Sequence, residues 1–424
     1  MTGRAAPALL ALLVAGSVAS AATAAAPWSI VESDRPLDGY AAVARDGRAL
    51  AVGTTCDAMG CAASLETYEP GGAVVRAGAV PGRPIAFTPL RDGAALLVTT
   101  SPQRRGLTAA DVTVAGTVVR SSVITPRFTR EATAASNASG ATAVAWVTSR
   151  LPQQLRVRVR RRDGAAFGPA HTIATFAREG GFGGLDVAAG PRGEIAVAWA
   201  AGGSLLTRVL EPRSRRLGPL LRVGRSDRLA KVGTAFTTGG RLVTIWSSAD
   251  GGEEQNRTAL VRVATRQPGA LRFTPSHKLG AGAAREPLAL ARGTAVRAVG
   301  AGASAMVVWT TRTLRTRIAS VTAAGTVTGA RTIDPDGVLV DAVGSASRRV
   351  LVAWTHDPLG AGAAAQAVIA PPDGRFGPGE PVGPAGSWAT GAVLDRAGTR
   401  ALVTWSAGDP VISPRWGLAE RRLP

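Results

Sequence analysis

Cysteine is nearly absent: Cys56 and Cys61 are the two in 424 residues. That excludes a disulfide-rich scaffold and a cysteine-based zinc module. Histidine is almost as scarce. His171, His277 and His356 lie far apart in the chain, which argues against a histidine-rich metal centre. Charged residues make up 18%, too few for a coiled coil, while 46% hydrophobic residues are too many for a disordered chain. Beyond residue 26 no run approaches the roughly 20 apolar residues of a membrane-spanning helix. The common catalytic signatures are missing as well. There is no G-x-S-x-G elbow, P-loop, H-E-x-x-H or EF-hand ligand run. No catalytic residue, metal ligand or cofactor is therefore assigned.

Lysine is restricted to Lys231 and Lys278, yet Lys+Arg totals 49 against 29 acids, for a formal charge of +20. The basic residues are thus almost all arginine. They are spread along most of the chain, and the densest run is Arg156, Arg158, Arg160, Arg161 and Arg162. No aromatics are interleaved with that run, as a single-strand-binding surface would require. A solvated surface with weak, salt-sensitive affinity for an anionic envelope is expected, without specific nucleic-acid binding.

Residues 1–26 place one arginine (Arg4) before an Ala/Leu/Val run and end in small residues, with Ala19-Ser20-Ala21 as a cleavage site. This reads as a secretory signal peptide. The mature chain, residues 27–424, is expected to be one soluble domain outside the cytoplasm. Cys56 and Cys61 flank four residues at a hairpin tip, and an oxidising compartment would let them bridge across it.

The organising feature is a repeat. An apolar run ending in tryptophan recurs at Trp146, Trp199, Trp246, Trp309, Trp354 and Trp405. Two earlier segments fit with Gly53 and Thr100 in the tryptophan position. The period is near 50 residues, within the range of propeller blades. Around Trp199 the unit divides into strands at 185–189, 194–199, 204–210 and 220–223, separated by Gly/Pro turns. Asp-Gly pairs at 46–47, 92–93, 163–164 and 373–374 supply the positive φ of tight hairpins. Four short strands per period make one blade. The last unit holds only three strands, and Pro27–Ser33 is placed to complete it. The expectation is an all-β fold: an eight-bladed β-propeller of four-stranded blades, closed by the N-terminal strand. Seven blades is the alternative, because two units lack the tryptophan and one interval is 63 residues long. The extra residues of that interval, about 267–302, are expected to form a longer loop or lid.

Features repeated in most blades serve the fold, so the recurrent tryptophans are expected to stack between neighbouring blades. The third-strand arginines are expected to pack their stems at blade edges. Trp28, Trp388 and Trp416 fall outside the register. They are candidates for a sugar- or protein-binding platform, although all three map to the closing blade and packing there is favoured. Glu253-Glu254 are adjacent loop carboxylates, poorly spaced for glycoside hydrolysis. Asp334-Pro335-Asp336-Gly337 reads as an ordinary turn. Asn137-Ala138-Ser139 and Asn256-Arg257-Thr258 match the N-glycosylation sequon.

The pattern A-V-A-W, a strand, then D-G-x-x-F-G-P resembles the tandem Val/Ala-Trp repeats of secreted actinobacterial propeller proteins. The likeness covers most of residues 37–424 and implies a fold but no activity. A more distant resemblance is to sialidase-type propellers. Here the Asp-box is absent, and Tyr40 and Tyr68 are the only tyrosines, both early. Sialidase catalysis is therefore not carried over. The expected role is binding or scaffolding at the cell envelope, as a monomer, with a cell-wall polysaccharide or envelope protein as partner. The alternative is a glycosidase- or lyase-like enzyme on a degenerate sialidase-type propeller.

Overall fold

A computed structural model of the chain describes residues 27–424. Excepted are 34–35, 58–59, 71, 101–105, 178–181, 212–215, 227–230, 250–258, 283–295, 312, 361, 372–374 and 409–414. Residues 1–26, with the expected export signal, lie outside the described residues.

The chain forms eight four-stranded antiparallel sheets arranged as the blades of a propeller. Blades 1 to 7 occupy residues 40–81, 83–125, 129–176, 182–225, 232–282, 296–334 and 337–381. Blade 8 takes three strands from residues 387–422 and its outermost from Ser29–Ser33, which pairs antiparallel with Arg415–Arg422. Eight blades, not seven, complete the ring. The N-terminal strand is the closing strand the sequence implied, so the last sheet has the same number of strands as the others.

Most second strands are largely apolar because both of their faces are covered. Thr142–Thr148 and Val350–His356 show this most clearly. At their ends the six repeated tryptophans are all fully buried. Every one packs on the preceding blade. Trp199 joins Leu155 and Val157 of blade 3. Trp309 joins Val261 and Val263 of blade 5. Trp405 joins Ala365 and Ala367 of blade 7. The indoles are thus inter-blade wedges. Blade 1 has no room for one, since a side chain at Gly53 would sit 1.8 Å from the Pro36 carbonyl oxygen. The segment arriving from the closing strand passes through that space. Tyr68 helps fill the seam between blades 1 and 8 instead, packing with Val393, Leu402 and Leu418 and donating to Glu420 Oε2 at 3.2 Å.

One expectation is corrected. The 63-residue interval is not simply a loop over 267–302. Hydrogen-bonding capacity in this region is met by strands: His277–Gly282 is the outer strand of blade 5 and Val296–Ala301 the inner strand of blade 6. Residues 283–295 between them lie outside the described residues.

The meander gives the ring two distinct faces. The turns joining strands one to two and three to four lie on one side, called here the turn face. Blade-to-blade crossovers and the turns joining strands two to three lie on the other.

Candidate functional site

The inner strands of all eight blades line a central channel of ≈ 760 Å³. Strand register identifies equivalent positions around it. The residue paired with the one just before the tryptophan position is Tyr40 in blade 1, Pro84 in blade 2, Thr133 in blade 3 and Asp186 in blade 4. In blades 5 to 8 it is Gly233, Arg297, Asp341 and Gly391. One level of the channel therefore carries every aspartate and arginine that interrupts the apolar inner strands of blades 4, 6 and 7.

These residues form a network across blades. Arg297 Nε donates to Asp341 Oδ1 at 3.0 Å. Asp341 also accepts from the backbone N–H groups of Ala342 (2.9 Å) and, on blade 8, Ala392 (3.4 Å). Asp186 Oδ2 accepts the Thr234 N–H of blade 5 at 2.6 Å. Burial pushes the Asp186 carboxyl up to about 6, against the opposing pull of Arg297 and its backbone donors. Burial also disfavours the Arg297 charge. Asp341 and Asp186 outweigh it, and the guanidinium pKa is raised. The two Nη nitrogens of Arg297 make no hydrogen bond among the described residues, and its side chain is 33% exposed within the channel. Tyr40 lies close enough for its hydroxyl to act on the same guanidinium, and its ring stacks on Phe87 with centroids 5.8 Å apart. Arg83, Thr390 and Asp38 complete the polar lining around this level. The layer therefore offers carboxylate acceptors, a guanidinium donor and an aromatic surface in one cavity.

The residues singled out from sequence lie elsewhere. Cys56 and Cys61 are paired across a hairpin on the crossover side and form a disulfide with Cα atoms 4.0 Å apart. Asp334 is buried and holds a turn together. It accepts from Trp354 Nε1 at 2.5 Å and from the Asp336 N–H at 2.7 Å, with His356 Nδ1 at 2.9 Å. Among the described residues, no group of three or more His, Cys, Asp or Glu side chains is placed to hold a metal ion. Trp28, Trp388 and Trp416 are each half-buried in the closing blade and none lines the channel; Arg421 lies 5.7 Å over the Trp28 ring. Glu253-Glu254 and Asn256 lie outside the described residues. Asn137 uses its side chain to close its own turn, accepting from Ser139 and Ala141 N–H groups. Arg160 is not simply an edge stem. Its Nη1 contacts both Asp111 oxygens of the preceding blade at 2.6 and 2.7 Å.

Sequence reasoning missed the channel layer. Its signal was a single charge between apolar neighbours: Leu185-Asp186-Val187, Val296-Arg297-Ala298 and Val340-Asp341-Ala342.

No family model matches the chain, and neither does any curated protein. Solved β-propellers do. The BP39L lectin from Burkholderia pseudomallei superposes with a TM-score of 0.55 at 14% identity, over 81% of this chain and 98% of its own. The WD40 repeats of RRP9 give 0.47 at 10% identity, over 77% and 89%. A prolyl endopeptidase gives 0.47 at 13%, over 88% of this chain and 54% of its own. Such likeness establishes the fold alone.

Proposed function

We propose that this protein is exported and binds, rather than transforms, an oligosaccharide of the cell envelope in its central channel. The observation that carries the reading is the interrupted symmetry of the inner strands. Blades 4, 6 and 7 place Asp186, Arg297 and Asp341 at a level where blade 3 has threonine and blades 5 and 8 have glycine. A half-buried charge is costly unless its environment repays it; these three do bond across blade seams, yet the other five blades carry no charge at this level. Sugar hydroxyls both donate and accept. They suit carboxylates and an incompletely bonded guanidinium lying side by side, while the Tyr40–Phe87 stack offers an apolar face for a pyranose ring. That one solved propeller of similar fold is a lectin accords with this reading. Export rests on residues 1–26 and on the Cys56–Cys61 pair.

Calorimetric titration of envelope-derived oligosaccharides into the mature chain tests the proposal. Saturable binding is expected, with at least a tenfold loss in Arg297→Gln. Equal binding by the variant, or none by either protein, would count against it. Mass spectrometry of the protein from culture medium should find a new N-terminus between Ala21 and Pro27.

One observation favours a second reading. Asp186 holds its proton up to about 6 while Asp341 is paired with a guanidinium. A carboxyl that keeps its proton up to about 6 is suited to act as the general acid of a glycosidase or lyase. Turnover of chromogenic glycosides that Asp186→Asn abolishes would replace binding with this activity.

A further inference from the structure

The turn face holds a second, unrelated feature. In seven blades the turn between strands one and two follows one scheme, with a residue in the left-handed region just before the last turn position. That residue is glycine in six: Gly47, Gly93, Gly140, Gly193, Gly240 and Gly398, with φ between 70° and 93°. In blade 7 it is Arg348, at φ 68°. A non-glycine residue there costs roughly 1 kcal/mol. The chain keeps an exposed arginine where its own repeat prefers glycine.

Other arginines gather on the same face, and several of them are exposed with no carboxylate bound to the guanidinium. Arg91 Nη2 donates to the Ala138 carbonyl at 2.9 Å and Arg396 Nη2 to the adjacent Asn137 carbonyl at 2.8 Å. Arg349 Nη1 donates to the Gly398 carbonyl at 2.6 Å. A carbonyl orders a guanidinium without neutralising it; Arg91 also has Asp163 Oδ2 3.9 Å from its Nε, and Arg349 Nη2 also donates to a Pro424 oxygen. Arg45, Arg192 and Arg348 are exposed, and their guanidiniums make no hydrogen bond among the described residues. The acids nearby are occupied. Asp46 binds Arg48, Asp395 accepts two N–H groups of its own turn, and Glu194 accepts the Arg192 N–H. Burial and the like charge of Arg91 lower the Arg396 pKa even though Asp163 and Asp92 pull the other way, so a further anion there would be favoured.

We propose that the turn face binds an anionic polysaccharide, a glycan with a carboxylate or phosphate on each repeat. The cations are distributed around a ring, which suits a multivalent chain better than a single ion. The turns of this face expose no aromatic ring for base stacking among the described residues, and their large exposed apolar side chains, Leu220 and Leu271, lie on separate blades. Nucleic acid and membrane are accordingly disfavoured.

The test uses the mature chain on a biosensor with polygalacturonate, neutral dextran, a thymidine oligonucleotide and phosphatidylglycerol vesicles. Polygalacturonate should bind and weaken about tenfold or more as salt rises to ~0.5 M. Arg45→Gln/Arg192→Gln and Arg348→Gly should each lower affinity severalfold. Arg348→Gly should also raise the melting temperature and leave oligosaccharide binding in the channel unchanged. A variant that is more stable yet binds less separates recognition from folding. Equal binding of dextran, tighter binding of the oligonucleotide or vesicles, or full affinity in both variants would overturn the proposal.

Discussion

The second strands and the inner strands of this ring follow opposite rules. On the second strands six blades repeat one residue, a tryptophan wedged against the blade before it. On the inner strands, one residue earlier in register, the eight blades present Tyr, Pro, Thr, Asp, Gly, Arg, Asp and Gly. The first level answers a demand that recurs at every blade interface, so the same residue solves it. The second faces a single cavity on the ring axis, where one ligand meets different blades with different groups. Where the repeat is kept, a residue serves the fold. Where it is broken without a steric cause, as at Gly53, a different role is implied.

Substitutions can break this comparison. The largest effect is expected from Trp199→Ala. It should lower stability by about 3–5 kcal/mol, because a buried indole leaves a cavity between blades 3 and 4. Chemical denaturation would measure it. A loss under about 1 kcal/mol would mean that the wedge is dispensable. The Cys56–Cys61 bridge is also unrepeated, yet it lies outside the channel lining. Cys56→Ser/Cys61→Ser should cost about 2 kcal/mol, the entropy of a short closed loop, with unchanged oligosaccharide affinity. Altered affinity would place that hairpin in the site.

A smaller effect comes from pH. The Asp186 carboxyl is lifted from 3.8 to about 6 by burial. Between those values the folded chain holds a proton that the unfolded chain has released. The contribution of this group to stability is therefore full below about pH 4 and falls as pH rises through 6. Thermal melts of Asp186→Asn against the parent should show a flatter profile across that window. Parallel profiles would mean that the carboxyl is better solvated than its surroundings imply.

Most of the fold was legible because the repeat is written in residues with one purpose. Val/Ala runs, terminal tryptophans and turn glycines each answer a local demand, and their period gives the blade. The missing fourth strand of the last unit pointed to Ser29–Ser33 as its partner. The interval at 267–302 misled because blade 5's outer strand, His277–Gly282, carries two glycines and weak alternation. The candidate site was hidden for another reason. Asp186, Arg297 and Asp341 are more than forty residues apart in sequence and carry no spacing motif. Only register brings them to one level. The turn-face arginines were visible as composition, but their distribution over one face needed the meander.

The most direct measurement replaces the three charged channel residues with the one blade 3 already uses. Asp186→Thr/Arg297→Thr/Asp341→Thr should melt at or above the parent temperature, since a half-buried ion pair is often matched by neutral side chains, and should no longer retain the oligosaccharide. Retained binding, or a chain that fails to fold, would show that these charges build the ring rather than equip it.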